Sequence, residues 1–194
     1  MTESITALLA ILTIAGNITI VLALALWIIT RFRKLNFLDP ILAFIKNHAI
    51  IVLFLIPASA IFGSLFYEFY AKFQPCFLCW WQRIFMYPQA ILAGAALAYQ
   101  TRDIIKYLIP FSILGALTSA LHYANQIHTR LNPLADPLVA CAPGAASCSG
   151  VYVFYYGYIT IPLMTLTAFL LLLIVALIAR EKRTSGDSVR QLLG

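Results

Sequence analysis

Five long apolar stretches, separated by short polar connections, organise the chain. Each is longer than the strand of a membrane barrel, and none alternates apolar and polar residues with a period of two. About 20 apolar residues cross a bilayer as a helix, which satisfies its own backbone hydrogen bonds. The pattern therefore predicts an all-α integral membrane protein, a four-helix transmembrane bundle plus one additional N-terminal transmembrane helix. The stretches are about 5–30, 49–69, 80–99, 107–124 and 158–179.

The connections divide the chain into three predicted regions. Residues 1–34 form the additional helix with its basic flank, 35–180 form the four-helix bundle, and 181–194 form a polar cytoplasmic tail. Asp39-Pro40 predicts a helix start ahead of the second stretch, since Asp caps helices and Pro suits their first position. Segment 125–157 carries several Pro and Gly residues, which predicts an irregular loop with a short interfacial helix.

Composition supports the membrane interpretation. Of the 194 residues, 62% are hydrophobic and only 10% are charged, with a mean hydropathy of +0.91. A soluble domain would have about 25% charged residues, so a water-soluble protein is excluded. The net charge of +6 does not indicate nucleic-acid binding, because no basic stripe lies on a soluble domain. The expected surroundings are a lipid bilayer.

The basic residues predict the orientation of the chain. With the N-terminus outside and the C-terminus inside, ten Lys and Arg residues lie on the inner side and three on the outer side, in agreement with the positive-inside rule. The first stretch lacks a basic leading segment and is longer than a signal-peptide core, so we expect an anchor that is not cleaved. The inner ten are Arg31, Arg33, Lys34, Lys46, Arg102, Lys106, Arg180, Lys182, Arg183 and Arg190; the outer three are Lys72, Arg83 and Arg130.

All four cysteines fall in breaks that this orientation places on the outer face, where disulfides persist. Cys76 and Cys79 follow Pro75 at the start of the third stretch, with the spacing CxxC. Residues three apart share one side of a helical turn, and a helix N-terminus favours a thiolate. This pair is therefore predicted to be redox-active.

Cys141 and Cys148 enclose a six-residue loop of small residues, Pro and Gly, which predicts accessible sulfurs. A structural disulfide is one interpretation, but closing so short a loop contributes only about 2–3 kcal/mol. Exchange chemistry explains the expected exposure better. A zinc site built from all four thiolates is disfavoured on an oxidising face, and Trp80 stands where haem attachment requires His. No metal is predicted.

Two further side chains are candidates for the site. Arg83 lies one helical turn after Cys79, and an Arg just inside the outer leaflet is costly without a purpose. It either stabilises the Cys79 thiolate, hydrogen-bonds the carbonyl of a bound quinone, or merely anchors the helix by snorkelling. His122 ends the fourth stretch at the same face, where a histidine is as often an interfacial residue as a functional one.

The chain resembles the disulfide-bond formation protein B family, and within it the Gram-positive-type protein C branch. The resemblance covers about residues 45–180, leaving the first helix outside, and the second cysteine pair is closely spaced as in the protein C branch. The matching segments are 75–84 (Pro-Cys-Phe-Leu-Cys-Trp-Trp-Gln-Arg-Ile), Met86-Tyr87-Pro88, Leu121-His122-Tyr123, Cys148-Ser149-Gly150, 157–162 (Gly-Tyr-Ile-Thr-Ile-Pro) and Ala168-Phe169.

The resemblance implies a mechanism and a set of roles. A reduced extracytoplasmic thioredoxin-fold thiol oxidase would attack the Cys141–Cys148 disulfide at Cys141, and Cys148 would then exchange with Cys76. Cys79 would face a membrane quinone, either ubiquinone or menaquinone. Arg83 would lie near the quinone, with His122 as a weaker candidate. The implied location is the bacterial cytoplasmic (inner) membrane, with the cysteines on the outer face.

Two other functions are compatible with the cysteine pattern. A vitamin K epoxide reductase-like protein is also a small bundle with outer CxxC chemistry, although its quinone-facing CxxC lies late in the bundle. A non-enzymatic membrane scaffold would use its cysteines only to brace loops. Quinone-dependent oxidation of a reduced partner distinguishes the scaffold from an enzyme.

Overall fold

The computed structural model describes residues 2–32, 38–134, 136–139 and 146–180. These residues form five helices and no named β-strand, in agreement with the predicted all-α class. A π-helical turn, Phe66–Tyr70, follows the second helix directly. The predicted cytoplasmic tail, the inner connection at 33–37 and Cys141 lie outside the described residues. The helices are α1 (Thr2–Phe32), α2 (Leu38–Leu65), α3 (Phe77–Ala98), α4 (Ile105–Leu131) and α5 (Ile161–Ala179).

Four helical segments in the described part of the chain are long and apolar enough to cross a membrane. They make the chain a multi-pass membrane protein. Helix α3 forms where the third apolar stretch predicts it, but it is not one of the four, because Gln82, Arg83 and Gln89 lower its mean hydropathy. Membrane crossing by α3 and the orientation of the termini stay predictions. The four segments are Thr2–Thr30, Leu38–Tyr70, Ile105–Leu131 and Ile161–Ala179.

Two helix boundaries can be compared with those predicted from the sequence. Asp39 and Pro40 are both helical, within the first turn of α2, and α2 continues from there without a break into the second apolar stretch. The end predicted for the fourth helix, at 124, is wrong, since α4 continues to Leu131. Asn125 and Gln126 suggest a loop in the sequence, but they are buried and bonded to the segments that fold over them. The described part of 125–157 contains no separate interfacial helix.

Helices α2 to α5 share one apolar core. Its buried members include Leu53, Leu108 and Phe169. A Cβ atom at Gly115 of α4 would overlap the Phe169 ring of α5, so glycine is required for this close approach. His122 lies seven residues after Gly115, which is two turns along the same face of α4. The contact between Gly115 and Phe169 thus fixes the distance between the helix that carries His122 and its neighbour.

Helix α1 packs against α5 and the end of α2. Asn17 accepts a hydrogen bond from the Thr167 hydroxyl over 2.7 Å, and Tyr67 donates one to the Thr6 hydroxyl over 3.3 Å. A Cβ atom at Gly16 would lie only 2.7 Å from Thr167 Cγ2, so this approach also depends on glycine. The buried face of α1 is narrow and is made mostly of small residues, namely Thr6, Ala10, Thr13, Gly16 and Ile20.

Candidate redox site

The first turn of α3 holds the two cysteines of the CxxC motif. Cys76 is the N-cap residue, in extended conformation, and its carbonyl accepts the Trp80 N–H over 3.1 Å. The Cys76 and Cys79 sulfurs lie 3.2 Å apart, and both residues are free thiols. The structure therefore shows this pair as a dithiol, with its sulfurs close enough to bond after a small movement.

Cys76 faces a buried polar pair. His122 Nε2 lies 3.7 Å from the Cys76 sulfur, and His122 Nδ1 lies 2.9 Å from the amide nitrogen of Gln82. An amide nitrogen can only donate, so Nδ1 accepts and the ring proton is on Nε2, facing the sulfur. Gln82 was missed by the sequence analysis, although its position three residues after Cys79 was a usable signal.

The surroundings of Cys76 favour its thiolate. The hydrogen bond from Cys79 lowers the pKa of the Cys76 thiol to about 4, His122 lowers it further, and burial opposes the shift without cancelling it. Position at a helix N-terminus acts in the same direction. The sequence pattern led us to consider a thiolate at Cys79, stabilised by Arg83. In the dithiol state, the structure favours the thiolate at Cys76, with Cys79 donating to it.

Arg83 is held by α2 and the π-helical turn. Its Nη1 donates to Glu68, its Nε donates to the Ser64 hydroxyl over 2.9 Å, and its guanidinium lies 5.1 Å from the centre of the Trp80 ring. The Arg83 side chain is 11% exposed. Glu68 and Ser64 were not identified from the sequence, because they precede Arg83 by 15 and 19 residues. The ion pair gives the guanidinium a fixed direction.

A cavity of about 340 Å³ lies between α1, α2, α3 and α5, and Cys79 and Arg83 both line it. This volume is in the range of small-molecule sites. Its lining is largely apolar, but the buried Tyr87 hydroxyl also belongs to it and has no hydrogen-bond partner among the described residues.

His122 lies on the other side of the cysteine turn. It lines a separate space of about 30 Å³, together with Cys76, Cys79 and Gln126. A space of this size holds about one water molecule. Cys79 lines both spaces, whereas Cys76 lines only the smaller one. The structure thus places Arg83 with Cys79 and His122 with Cys76, and His122 does not line the larger cavity.

Cys148 packs directly against the CxxC turn. It is disulfide-bonded and 1% exposed, and it forms one apolar cluster with Cys76 and Leu78. The prediction of accessible sulfurs is therefore wrong for Cys148. The physical reason is that Gln126 of α4 donates to the carbonyl of Gly150 over 2.8 Å, which holds this segment over the start of α3.

The dithiol and His122 also form a set of metal-ligand atoms. The Cys76 and Cys79 sulfurs and a ring nitrogen of His122 all lie within 4.8 Å of one another. Cysteine sulfur and histidine nitrogen are the ligands that zinc prefers. The cysteine spacing in the sequence suggests only a four-cysteine zinc site, whereas the structure brings together two cysteines and a histidine. A metal ion bound by this set would occupy the same two sulfurs that redox chemistry needs.

Comparison with known proteins identifies the family. Residues 46–179 match the family model described as Disulfide bond formation protein DsbB. The chain belongs to the DsbB family. This confirms the resemblance noted in the sequence and makes the protein a membrane disulfide oxidoreductase.

Named relatives support the same assignment. Disulfide bond formation protein C of Bacillus subtilis (strain 168) is 40% identical over 124 residues, which is 63% of this chain and 86% of the relative. A probable disulfide formation protein of Coxiella burnetii (strain RSA 493 / Nine Mile phase I) is 34% identical over 146 residues, covering 73% of this chain and 96% of the relative. No solved structure gives a significant match. Helix α1 precedes the region that matches the DsbB family model.

Proposed function

We propose that this protein reoxidises a soluble extracytoplasmic thioredoxin-fold thiol oxidase and passes the electrons to membrane quinone, at the outer face of a bacterial cytoplasmic membrane. One observation supports this most strongly. The Cys76–Cys79 turn lies between the buried Cys148 on one side and the apolar cavity with Arg83 on the other. A disulfide can exchange with the first side while a flat apolar acceptor binds on the second.

The first half of the cycle transfers a disulfide to the partner. A partner thiolate attacks Cys141, the bond between Cys141 and Cys148 breaks, and Cys148 leaves as a thiolate. The partner's second thiolate then attacks its own bridged sulfur, so that the partner becomes a disulfide and Cys141 is released. The partner has lost two electrons and two protons, and the outer pair is now a dithiol.

The second half moves the electrons inward. Cys148 attacks Cys76 of an oxidised Cys76–Cys79 pair, and Cys79 leaves. Cys141 then attacks Cys148, which restores the outer disulfide and releases Cys76. The pKa of about 4 makes Cys76 a good leaving group at neutral pH, since low-pKa thiols leave faster. The Nε2 proton of His122 faces this sulfur and stabilises its negative charge.

The residues of the cavity fit a quinone. Arg83 and the Tyr87 hydroxyl, which has no partner in the described part of the chain, are hydrogen-bond donors in an otherwise largely apolar cavity. Cys79 is the reactive sulfur that lines it. When bound, a quinone supplies an acceptor for two electrons and two protons. Glu68 and Ser64 hold the Arg83 guanidinium in place, which reduces the entropy lost when it binds a ligand. A direct contact between His122 and quinone stays a prediction, and the geometry favours a role at Cys76.

The test uses the purified full chain in lipid nanodiscs, a reduced thioredoxin-fold oxidase and a soluble quinone. We expect repeated oxidation of the partner only when quinone is present. The loss of quinone absorbance should show one quinone reduced for each partner molecule oxidised. A scaffold protein would oxidise at most the amount of partner set by its own disulfides. Turnover that does not depend on quinone would contradict the proposal.

A further inference from the structure

Helix α1 forms one wall of the cavity that Cys79 and Arg83 line. Leu9, Leu12 and Thr13 belong to its lining. The match to the DsbB family model begins at residue 46, whereas α1 ends at Phe32. This wall is therefore a feature of the present chain that lies outside the matched family region.

The wall is fixed in position at both ends. Before Leu9, the Thr6 hydroxyl accepts a hydrogen bond from Tyr67, and after Thr13, Asn17 accepts one from Thr167. Tyr67 and Thr167 themselves line the cavity. The segment of α1 that faces the cavity is thus held between two contacts to the cavity's own walls.

The α1 wall and the α3 wall differ in chemistry. The α3 wall supplies the Arg83 guanidinium and the Tyr87 hydroxyl. On α1, the Thr13 hydroxyl donates to the Leu9 carbonyl over 2.8 Å, so its donor is already used within the helix. Leu9 and Leu12 add only apolar surface. A ligand with a polar ring and an apolar side chain would satisfy both walls.

We propose that α1 is a binding element for the isoprenoid side chain of the quinone, contacting it through Leu9 and Leu12. This inference rests on the proposed function, because it assumes that the cavity takes a quinone. It assigns the polar ring to the α3 side and the apolar chain to α1. Helix α1 then contributes to selection among quinones in addition to its role as a membrane helix.

The first experiment measures binding directly, without turnover. Quenching of tryptophan fluorescence in the purified full chain gives dissociation constants for menadione and for the same ring carrying one isoprenoid unit. We expect Leu9→Ala/Leu12→Ala to weaken binding of the isoprenoid form about tenfold, by loss of apolar contact, and that of menadione much less. The control Leu8→Ala/Ile11→Ala removes two apolar residues of the same helix that do not line the cavity, and should change neither constant.

The outcomes separate the two proposals. If the wild-type protein binds neither quinone, the quinone site itself is refuted. If it binds both but Leu9→Ala/Leu12→Ala loses no affinity, loses it equally for both quinones, or loses no more than the control pair, the role of α1 is overturned while the quinone site stands. Melting temperatures of the variants show whether the bundle remains folded.

A second measurement requires no substitution. A quinone with a photoreactive azido group on its side chain is bound to the wild-type protein, illuminated, and located by mass spectrometry of peptides. Labelling within Thr2–Phe32 is the expected result. Labelling confined to α2, α3 and α5 would overturn the proposal.

Discussion

The two sides of the Cys76–Cys79 turn differ in room and in polarity. On the Cys76 side, a space of about 30 Å³ is bordered by His122 and Gln126, and Cys148 packs against the turn. On the Cys79 side, a largely apolar cavity of about 340 Å³ opens between four helices. Thiol exchange needs sulfurs in contact and little else, whereas a lipid-soluble acceptor needs volume. Cys76 and Cys79 are three residues apart, so their side chains lie on the same side of the helix without pointing in the same direction. One helical turn can therefore present one sulfur to Cys148 and the other to the cavity.

The two sides of the turn also stabilise their charged groups in different ways. The negative charge on Cys76 is stabilised by hydrogen bonds from the Cys79 thiol and the His122 ring. Arg83 carries a positive charge that is paired with the carboxylate of Glu68. Hydrogen bonds thus stabilise the thiolate, and an ion pair orients the guanidinium. Selective substitutions should therefore damage one side and spare the other.

The largest effect should follow from removing the sulfur that the cavity side uses. We expect Cys79→Ser to abolish quinone-dependent turnover, because the inner pair can no longer form a disulfide. The outer pair should still oxidise the partner once. Steady-state and single-turnover assays measure these two results separately, and sustained quinone-dependent turnover in Cys79→Ser would show that the roles are assigned incorrectly.

Arg83→Ala should raise the apparent Michaelis constant for quinone about tenfold to a hundredfold. Losing one charge-assisted hydrogen bond costs roughly 1.5–3 kcal/mol. Arg83→Lys should rescue only partly, since Lys lacks the planar fork that Arg presents. The matched control is Arg130→Ala, an exposed arginine that stacks on Phe154 away from the cavity. An unchanged constant in Arg83→Ala would leave Arg83 as a membrane anchor.

Zinc should inhibit the reduced protein on the Cys76 side. We expect Zn²⁺ to bind the dithiol together with His122, and His122→Asn to weaken that binding about tenfold or more, since even outer partners of zinc ligands contribute 10- to 100-fold. Titration with a zinc indicator measures this, with His48→Asn, an exposed histidine of α2, as the control. Equal zinc affinity in His122→Asn and the wild type would show that the histidine is not a ligand.

The smallest effect concerns the pH dependence of the reduced protein. The pKa of Cys76 is lowered to about 4, below the value of about 8.5 for an unfolded thiol. The thiolate therefore stabilises the reduced fold fully above about pH 8.5, and this stabilisation is lost as the pH falls through about 4. Ultraviolet absorbance of the thiolate, followed over a pH titration, should give this pKa directly.

The oxidised protein is the control for this titration, because its inner pair does not titrate. The melting temperature of the reduced protein minus that of the oxidised protein should therefore fall as the pH is lowered. His122→Asn should raise the pKa of Cys76 toward the ordinary thiol range, without affecting quinone affinity at the Arg83 side. A thiolate transition that stays in place in His122→Asn would contradict the role given to the histidine.

Much of the fold could be predicted because apolar length alone indicates helices in a membrane protein. The pattern placed all five helices, and the motif around Cys76 and Cys79 located the reactive turn. It did not predict the end of α4, because Asn125 and Gln126 each form a hydrogen bond with a residue 14 or 24 positions later. From sequence alone, a polar residue is easily assigned to a loop when its hydrogen-bond partner lies far away along the chain.

The site was predicted less completely, for the same reason. The sequence indicated that a buried arginine needs a partner, but not that Glu68 supplies it. It indicated a short loop of small residues before Cys148, but not that Cys148 itself packs against Cys76. Family resemblance named the cysteines and their order. Only the three-dimensional structure shows that His122 and Arg83 lie on opposite sides of the turn.

The contact between Gly115 and Phe169 has a consequence for how this protein can diverge. A larger residue at 115 overlaps the ring and would displace the helix that carries His122, whereas a smaller residue at 169 would leave a void beside Gly115. Each change alone is unfavourable, but the two together exchange volume across the same contact. Positions 115 and 169 should therefore evolve as a coupled pair, and functional relatives with a bulkier residue at the first should have a smaller one at the second.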